Sequence, residues 1–223
     1  MDRCDFLPVS AEEMHERGWW WYDALVVGGD AYVDHPSFGT AVISRVLEAE
    51  GLRVAVLAQP DWHDAEAFRA MGRPRLGVFI GAGNLDSMVA HYTAAKRRRS
   101  EDFYSPGKRT GCRPDRAAIV YCNRAREAFG PDVPIILGSL EASLRRFAHY
   151  DYWDDSVRRA ILFDAPADLL VYGMGEAATI ELAHRLKKKQ SVHTMTDIPG
   201  TGYITRDPSV CKFDHITIPS FED

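Results

Sequence analysis

Short apolar runs alternate with longer amphipathic stretches along most of this 223-residue chain. The apolar runs are bounded by Gly, Pro or polar residues and predict β-strands at 24–28, 53–58, 77–80, 134–137 and 168–172. The stretches between and after them predict helices at 40–50, 64–71, 86–96, 115–129, 141–150 and 176–189. Strands that alternate with helices in this way form a mainly parallel sheet covered on both faces. The chain is therefore predicted to be an α/β protein with a Rossmann-like three-layer sandwich.

The composition fits one globular domain with an extension. Hydrophobic residues make up 46% and charged residues 26% of the chain, both ordinary values for a globular protein. A net charge of −5 argues against a protein that coats nucleic acid with its whole surface. The sequence contains neither a transmembrane run nor a secretion signal, which predicts no membrane contact and a cytoplasmic location. The alternating pattern stops near residue 195, so we predict a domain at 1–195 and a connecting segment at 196–223.

The loop after the first predicted strand is long and chemically dense. It contains Gly29, Asp30, Asp34, His35 and Gly39 within eleven residues, 29–39. Ligands of open α/β sheets bind outside the carboxyl ends of the strands, so this loop is a candidate ligand-binding segment. The Asp34–His35 pair is compatible with acid–base chemistry or ligand contact. The alternative is an Asx-type turn with a hydrogen-bonded histidine.

Glycines and polar side chains also follow the later predicted strands. Asn84 comes after the third strand, Gly138 after the fourth, and Gly175 and Glu176 after the fifth. Because parallel strands end at a common edge, these residues and the 29–39 loop are predicted to line one cofactor-binding cleft. Glycine lets a backbone approach a ligand closely, although turn chemistry alone also requires glycine at such positions. The chain has neither GxGxxG nor a P-loop motif, so no standard dinucleotide or P-loop site is indicated.

The cysteines show no metal-binding pattern. Cys4, Cys112, Cys122 and Cys211 are far apart and form neither CxxC nor CxxxCxxC. Zinc and iron–sulfur sites normally use closely spaced cysteines. The sequence therefore predicts no metal site and no bound cofactor within this chain. It assigns no catalytic residue.

A basic stretch runs from Lys96 to Arg116 and encloses the aromatic segment 103–107. Such a stretch is compatible with contact to RNA. The alternative is a solvated loop that packs on a neighbouring domain through salt bridges, which the acidic whole-chain charge favours.

Several segments resemble the N-terminal region of the YgiQ-type radical S-adenosylmethionine (SAM) proteins. They are GDAYVDHPSFG at 29–39, AQPDW at 58–62, AGNLDSMVAHYTAAK at 82–96, RPDRAAIVY at 113–121 and EASLRRFAHYDYW at 141–153. The resemblance extends over nearly the whole chain, from residue 19 to about 221, and its motifs are long.

This resemblance implies that a radical SAM core follows this region in full-length members. In that core, three cysteines of a CxxxCxxC loop hold a 4Fe-4S cluster that cleaves S-adenosylmethionine. None of the four cysteines here fits that motif, so the chain is expected to be an accessory domain that is inactive alone. It would bind a ligand or dock on the core in cis; the reaction and substrate are not implied.

The predicted architecture is also similar to the cobalamin-binding domain that precedes many radical SAM cores. In that domain a DxHxxG loop can supply a histidine to cobalt. Here Asp34 and His35 are adjacent and three residues separate His35 from Gly39, which departs from the motif. Two further functions therefore stay open, namely a free-standing corrinoid- or nucleotide-binding module and a domain that contacts RNA or a partner through residues 96–116.

Overall fold

The computed structural model describes residues 6–222. Its main sheet consists, within these residues, of β1 Ala24–Gly28, β2 Val54–Ala58, β3 Gly77–Gly81, β4 Ile135–Leu137, β7 Leu169–Val171 and β8 Thr201–Gly202. The strands lie in the order β2-β1-β3-β4-β7-β8. All neighbours are parallel except β8, which runs antiparallel to β7. Strands β5 His149–Asp151 and β6 Ser156–Arg158 form a separate antiparallel hairpin.

The α-helices of the described part of the chain are α1 Ala11–Glu16, α2 Gly39–Ala49, α3 Glu66–Ala70, α4 Ser87–His91, α5 Ala117–Phe129, α6 Ser139–Leu144 and α7 Glu176–Lys187. Alternate side chains of each strand point to opposite faces of the sheet, and both faces are apolar. Leu47 of α2 and Leu182 of α7 pack on one face with Val26 and Ile136. Helices α3, α5 and α6 cover the other face. The predicted α/β three-layer fold is confirmed.

The strand order places the chain reversal between β1 and β3. Strand β1 pairs with β2 on one side and with β3 on the other, and Gly28 is level with both Ala58 and Gly81. The carboxyl ends of these strands therefore form one straight edge. In doubly wound sheets of this order, ligands bind at that edge near the reversal.

Two predicted helices end five or more residues earlier than the sequence pattern suggested. The helix predicted at 86–96 ends at His91, because Tyr92 has an extended backbone (φ −125°, ψ 151°) and its hydroxyl donates to Asp115 at 2.7 Å. The helix predicted at 141–150 begins at Ser139 and ends at Leu144, and the β5–β6 hairpin follows. Arg145, directly after Leu144, pairs with Asp86, and its carbonyl accepts the Ile161 N–H at 2.8 Å, so in both cases polar tertiary contacts outweigh helix propensity.

Strand β8 lies beyond residue 195 and adds an edge to the main sheet through Leu170 and Val171. The residues after it are largely exposed. The division at 195 itself stays a prediction. No helix among residues 6–222 has the length and apolar character needed to cross a membrane.

Candidate ligand-binding cleft

A cleft lies between α2 and α7 at the carboxyl edge of the sheet. Its volume is about 250 Å³. Its floor consists of side chains from four parallel strands, Val26, Phe79, Ile136 and Val171. Its walls are the first turns of the two helices, residues 39–43 and 176–179. Because small-molecule pockets usually measure roughly 300–1,000 Å³, this cleft has room for one ring system of a small ligand rather than a whole large one.

The lining of the cleft is mostly apolar. Among the described residues that form it, Glu176 is the only ionisable one. Thr40 and Thr179 contribute hydroxyl groups, and Thr179 is buried. The third hydroxyl, on Ser139, accepts a hydrogen bond from the Ala82 N–H at 3.1 Å. The cleft therefore suits an uncharged ring with few polar atoms.

Two rim glycines are not required by the packing of the protein. A Cβ atom at Gly39 would meet nothing within 4 Å, and one at Gly138 would have Val171 O as its nearest neighbour, at 3.6 Å. Gly138 has an extended backbone (φ −143°, ψ −157°) that any residue adopts. The missing side chains at Gly39 and Gly138 therefore keep space open at the cleft rather than serving a turn.

Helices α2 and α7 both begin at the rim, where Asn84 Oδ1 accepts the first N–H of α2, from Gly39, at 3.2 Å. Their N-cap residues are Phe38 and Gly175, and neither makes a side-chain cap hydrogen bond. The first N–H groups of a helix carry partial positive charge and favour anionic groups. The mouth of the cleft is thus more polar than its floor and presents the first N–H groups of α7 beside the Glu176 carboxylate.

Beyond the ends of β1 and β3, the same edge is occupied by buried side chains of the protein itself, centred on Arg113, Asp30 and Asp102. We call this region the filled half. Arg113 is fully buried there, and its Nη1 donates to Asp30 Oδ1 at 2.8 Å and to Ala82 O at 3.3 Å. Its Nη2 donates to both carboxylate oxygens of Asp102, at 2.9 and 2.7 Å. Asp30 also accepts the Asn84 N–H at 2.7 Å. This ion-pair network occupies the reversal point at which doubly wound folds commonly bind ligands.

The two carboxylates of the network differ in proton affinity. Burial raises the pKa of Asp30, although the Asn84 N–H and Arg113 act in the opposite direction. Burial also acts to raise the pKa of Asp102, but hydrogen bonds from Arg113, the Tyr104 N–H and Ser105 outweigh it and hold that pKa below its usual value. Arg113 favours the ionised form of both carboxylates in a site that excludes water.

The loop that carries Asp102 is sealed against the ends of β1 and β2. Gln59 Nε2 donates to Ser105 Oγ at 2.7 Å and to Gly29 O at 3.0 Å. The Ala31 N–H donates to Tyr104 O at 2.8 Å. A Cβ atom at Gly29 would collide with the carbonyl of Ala82, so close packing requires glycine there. Gly29 and Asp30, both predicted to contact a cofactor, thus belong to the filled half of the edge.

The other predicted polar residues shape the loop at the mouth. Asp34 pairs with Arg45, and the exposed His35 accepts the Ser37 N–H on Nδ1 at 3.1 Å. Asn84 accepts the Gly39 N–H at 3.2 Å and donates to Ser37 O at 2.9 Å. None of these polar side chains lines the cleft, whereas the predicted residues Gly39, Gly138, Gly175 and Glu176 do. Contact of any of them with a ligand stays a prediction.

A single buried carboxylate connects the filled half to the cleft. Glu141, in α6, accepts the Ser87 N–H at 2.8 Å and the Ala118 N–H at 3.1 Å. These N–H groups belong to the beginnings of α4 and α5, and the helix that carries Glu141 begins at the cleft rim with Ser139. Burial raises the pKa of Glu141. The residues between α4 and α5 are therefore held at both ends by one side chain.

The described residues do not fit an iron–sulfur cluster. Residues 6–222 contain no group of three or more His, Cys, Asp or Glu side chains arranged to hold a metal ion. Cys112, Cys122 and Cys211 are free thiols, and burial raises the pKa of Cys122. Cys4 lies outside the described residues.

The basic stretch from Lys96 to Arg116 is only partly a surface feature. Arg113 is internal, and Arg116 pairs with Asp151 at 2.9 Å and with Asp154 at 2.6 Å. The exposed cations of the stretch are Lys96, Arg97, Arg98, Arg99, Lys108 and Arg109. These ion pairs join the loop to its own domain, and contact with RNA stays a prediction.

Sequence reasoning missed the centre of the filled half. Arg113 lies in a basic stretch whose charge is typical of a surface loop. Asp102 lies in a turn without any recognisable motif. Neither residue carries a local pattern that separates it from its exposed neighbours, since their pairing spans 83 residues between Asp30 and Arg113. Thr179 was missed because it lies inside a helix rather than after a strand.

Comparison with known proteins gives consistent results. The family model for the radical SAM N-terminal region matches residues 6–223. A UPF0313 protein of Clostridium botulinum strain 657 is 55% identical over 223 residues, which is 100% of this chain and 35% of that protein. A UPF0313 protein of Clostridium perfringens strain SM101 is 52% identical over the whole chain and 34% of its own length. The chain spans about a third of the length of these curated relatives.

Among solved structures, the chain resembles the radical S-adenosylmethionine methyltransferase TsrM from Kitasatospora setae, a structure with cobalamin and a [4Fe-4S] cluster bound. The TM-score is 0.49 at 21% identity, over 82% of this chain and 27% of that one. The family match, by contrast, covers nearly every residue, and the resemblance predicted from the sequence motifs is confirmed. The chain belongs to the radical SAM N-terminal family.

Proposed function

We propose that this domain binds a nucleotide, or the nucleotide part of a corrinoid, in the cleft between α2 and α7, with the base as the ring on the apolar floor. We further propose that it serves a radical SAM core in the same polypeptide, since the curated relatives are about three times as long as the matched region. On this proposal the domain supplies binding and orientation. The 4Fe-4S cluster and S-adenosylmethionine would belong to the core.

The observation that carries the proposal is the open space at Gly39 and Gly138. Glycine costs conformational entropy on folding and is destabilising in regular structure unless something uses its small size. Here neither backbone strain nor internal packing uses it. A ligand that enters the cleft between Gly39 and Gly138 would make use of their small size.

The chemistry of the cleft matches a ring attached to a phosphate. The apolar floor of Val26, Phe79 and Ile136 suits the ring, because burial of apolar surface favours binding. The beginning of α7 at the mouth, whose N–H groups have no capping side chain, suits an anionic group beside it. Nucleotides have this composition, and so does the nucleotide part of a cobalamin.

His35 fits a donor role better than a metal-ligand role. Its Nδ1 accepts the Ser37 N–H, so the neutral ring carries its proton on Nε2. A protonated Nε2 donates a hydrogen bond to a ligand oxygen but offers no lone pair to cobalt. Corrinoid binding to this domain therefore does not depend on cobalt ligation by His35.

Isothermal titration of the purified chain with aquocobalamin and, separately, with ADP tests the proposal. We expect one of them to bind, and we expect Gly138→Val to weaken that binding at least about tenfold, because the added methyl groups occupy the cleft. Gly202→Val is the matched control, since Gly202 lies in β8 outside the cleft. Absence of binding by both ligands at roughly millimolar concentration, or equal binding by the Gly138→Val variant, would contradict the proposal.

A further inference from the structure

The β5–β6 hairpin has its polar face turned inward and its apolar face turned outward. Tyr150 and Val157 are directly opposite each other on the two strands and are 59% and 58% exposed. Asp151, on the other face, is buried. This arrangement is the reverse of an ordinary surface hairpin, in which the apolar face packs on the core.

Ion pairs, rather than apolar packing, hold the inner face of the hairpin. Asp151 pairs with Arg116 at 2.9 Å and with Arg158 at 3.7 Å. Tyr152, next along the chain, donates to Ala94 O at 2.6 Å. A two-stranded hairpin alone is marginally stable in water, so these anchors matter. The Tyr150–Val157 pair adds little to the stability of the domain as described, because both side chains remain in solvent.

Further exposed apolar side chains lie on the segments before and after the hairpin. Large apolar side chains that are more than half exposed flank it on the neighbouring segments, namely Leu144, Phe147, Phe163 and Met174. Arg146 lies over the rings of both Phe147 and Tyr172, at 4.9 and 5.0 Å, which brings α6 next to the turn after β7. Met174, which is 86% exposed, also lines the cleft. Exposed apolar side chains on the hairpin and on the segments around it are typical of an interaction site.

We propose that the outer face of the β5–β6 hairpin is the surface on which the radical SAM core of the same polypeptide docks, beside the mouth of the cleft. The identity of this partner rests on the proposed function. About two thirds of each curated relative lies outside the region matched by this chain, which is enough for a whole further domain in the same polypeptide. A domain in the same polypeptide is present at high effective concentration, so a modest apolar surface suffices to dock it.

Photo-crosslinking in the polypeptide that carries this domain together with its core tests the proposal. A benzoylphenylalanine is placed at Tyr150 and, as a matched control, at Trp20. Trp20 is an aromatic residue that is 81% exposed and precedes β1 at the opposite edge of the sheet. We expect position 150 to crosslink to peptides of the core in the same molecule and position 20 to give no such product.

The substitution Val157→Asp places a charge on the docking face. We expect it to lower the yield of the crosslink from position 150 about tenfold, the effect of losing a central apolar contact. The melting temperature of the isolated 223-residue chain should not change, because Val157 is exposed in it. This second measurement separates lost docking from lost folding.

Three results would overturn the proposal. They are no crosslink from position 150, a crosslink from position 150 only to a second copy of the chain, and a core crosslink from position 20 that is stronger than the one from position 150. None of them bears on the titration of the cleft with aquocobalamin or ADP. Failure of docking and failure of ligand binding are therefore distinguishable.

Discussion

The carboxyl edge of this sheet contains two regions that are both built at the ends of parallel strands. One is filled by buried side chains, and the other is an open cleft. Beside β1 and β3, Arg113 and its two carboxylates fill the space. On the side of α2 and α7, rim glycines leave a cleft of about 250 Å³ that reaches across β1, β3, β4 and β7 between two helix beginnings. The strand ends and turn glycines are alike in both halves, so the difference comes from the long connection between β3 and α5. Strand topology places a potential site at this edge, and a loop decides which part of it stays open.

The largest expected effect is on the filled half. Arg113→Met removes the shared partner of Asp30 and Asp102 and leaves two buried carboxylates, which should cost about 3–5 kcal/mol of unfolding free energy at neutral pH. Urea unfolding monitored by circular dichroism measures this loss. Arg109→Met, in the same loop but exposed, is the control and should change stability by less than about 0.5 kcal/mol. A loss of similar size in the two variants would show that the network does not hold the filled half.

The cost of Arg113→Met should also depend on pH. In the native protein the pKa of Asp102 is lowered, so its contribution to stability is present above its unfolded pKa and is lost as pH falls through the folded value. Without the guanidinium, burial is opposed only by the remaining hydrogen bonds from Asn84, Tyr104 and Ser105, so the pKa of both carboxylates should rise and the folded variant should bind protons more readily than the native protein. The destabilisation should therefore be smaller at pH 4.5 than at pH 7.5. An equal loss at both values would argue that packing, not charge, dominates.

A matched pair of glycine substitutions compares the two halves directly. Gly29→Ala should destabilise the protein by about 1–3 kcal/mol, because the new methyl group collides with the Ala82 carbonyl. Gly138→Ala should change stability by less than about 0.5 kcal/mol, since its nearest neighbour is at 3.6 Å. Thermal unfolding of both variants measures the difference. If the two variants melt alike, the distinction between a packed and an open half is wrong.

The smallest expected effect is at the mouth loop. His35→Ala should leave stability within about 0.5 kcal/mol of the native value, because the side chain is exposed. Its affinity for the ligand that binds the native chain should fall about fivefold, the worth of one hydrogen bond of about 1 kcal/mol. Titration of the variant measures this change. Complete loss of corrinoid binding would instead favour cobalt ligation by His35.

The sequence predicted the main sheet well and the filled half poorly. Strands such as β1 and β3 are buried on both faces and therefore appear as continuous apolar runs with clear ends. The rim positions Gly138 and Gly175 followed from those strand ends. Arg113 could not be predicted, because a charged residue in a basic loop gives no local sign that its partners lie 83 and 11 residues away. Long-range pairing of Arg145 with Asp86 also explains why the helix predicted at 141–150 ends at Leu144.

Glu141 closes the segment from Ser87 to Ala118, which contains α4 and the connection to α5, into a loop with both ends held together. Its carboxylate joins the chain at Ser87 to the chain at Ala118, so the two ends are fixed whatever lies between them. The entropy of closing a flexible loop grows only with the logarithm of its length, about 0.6 kcal/mol for each doubling. Apart from the segments that carry Asp102 and Arg113, this connection can therefore gain or lose residues over evolution at little entropic cost, while α6 and the cleft that it borders keep their place. Variation in the length of that connection would alter what fills the edge without refolding the domain.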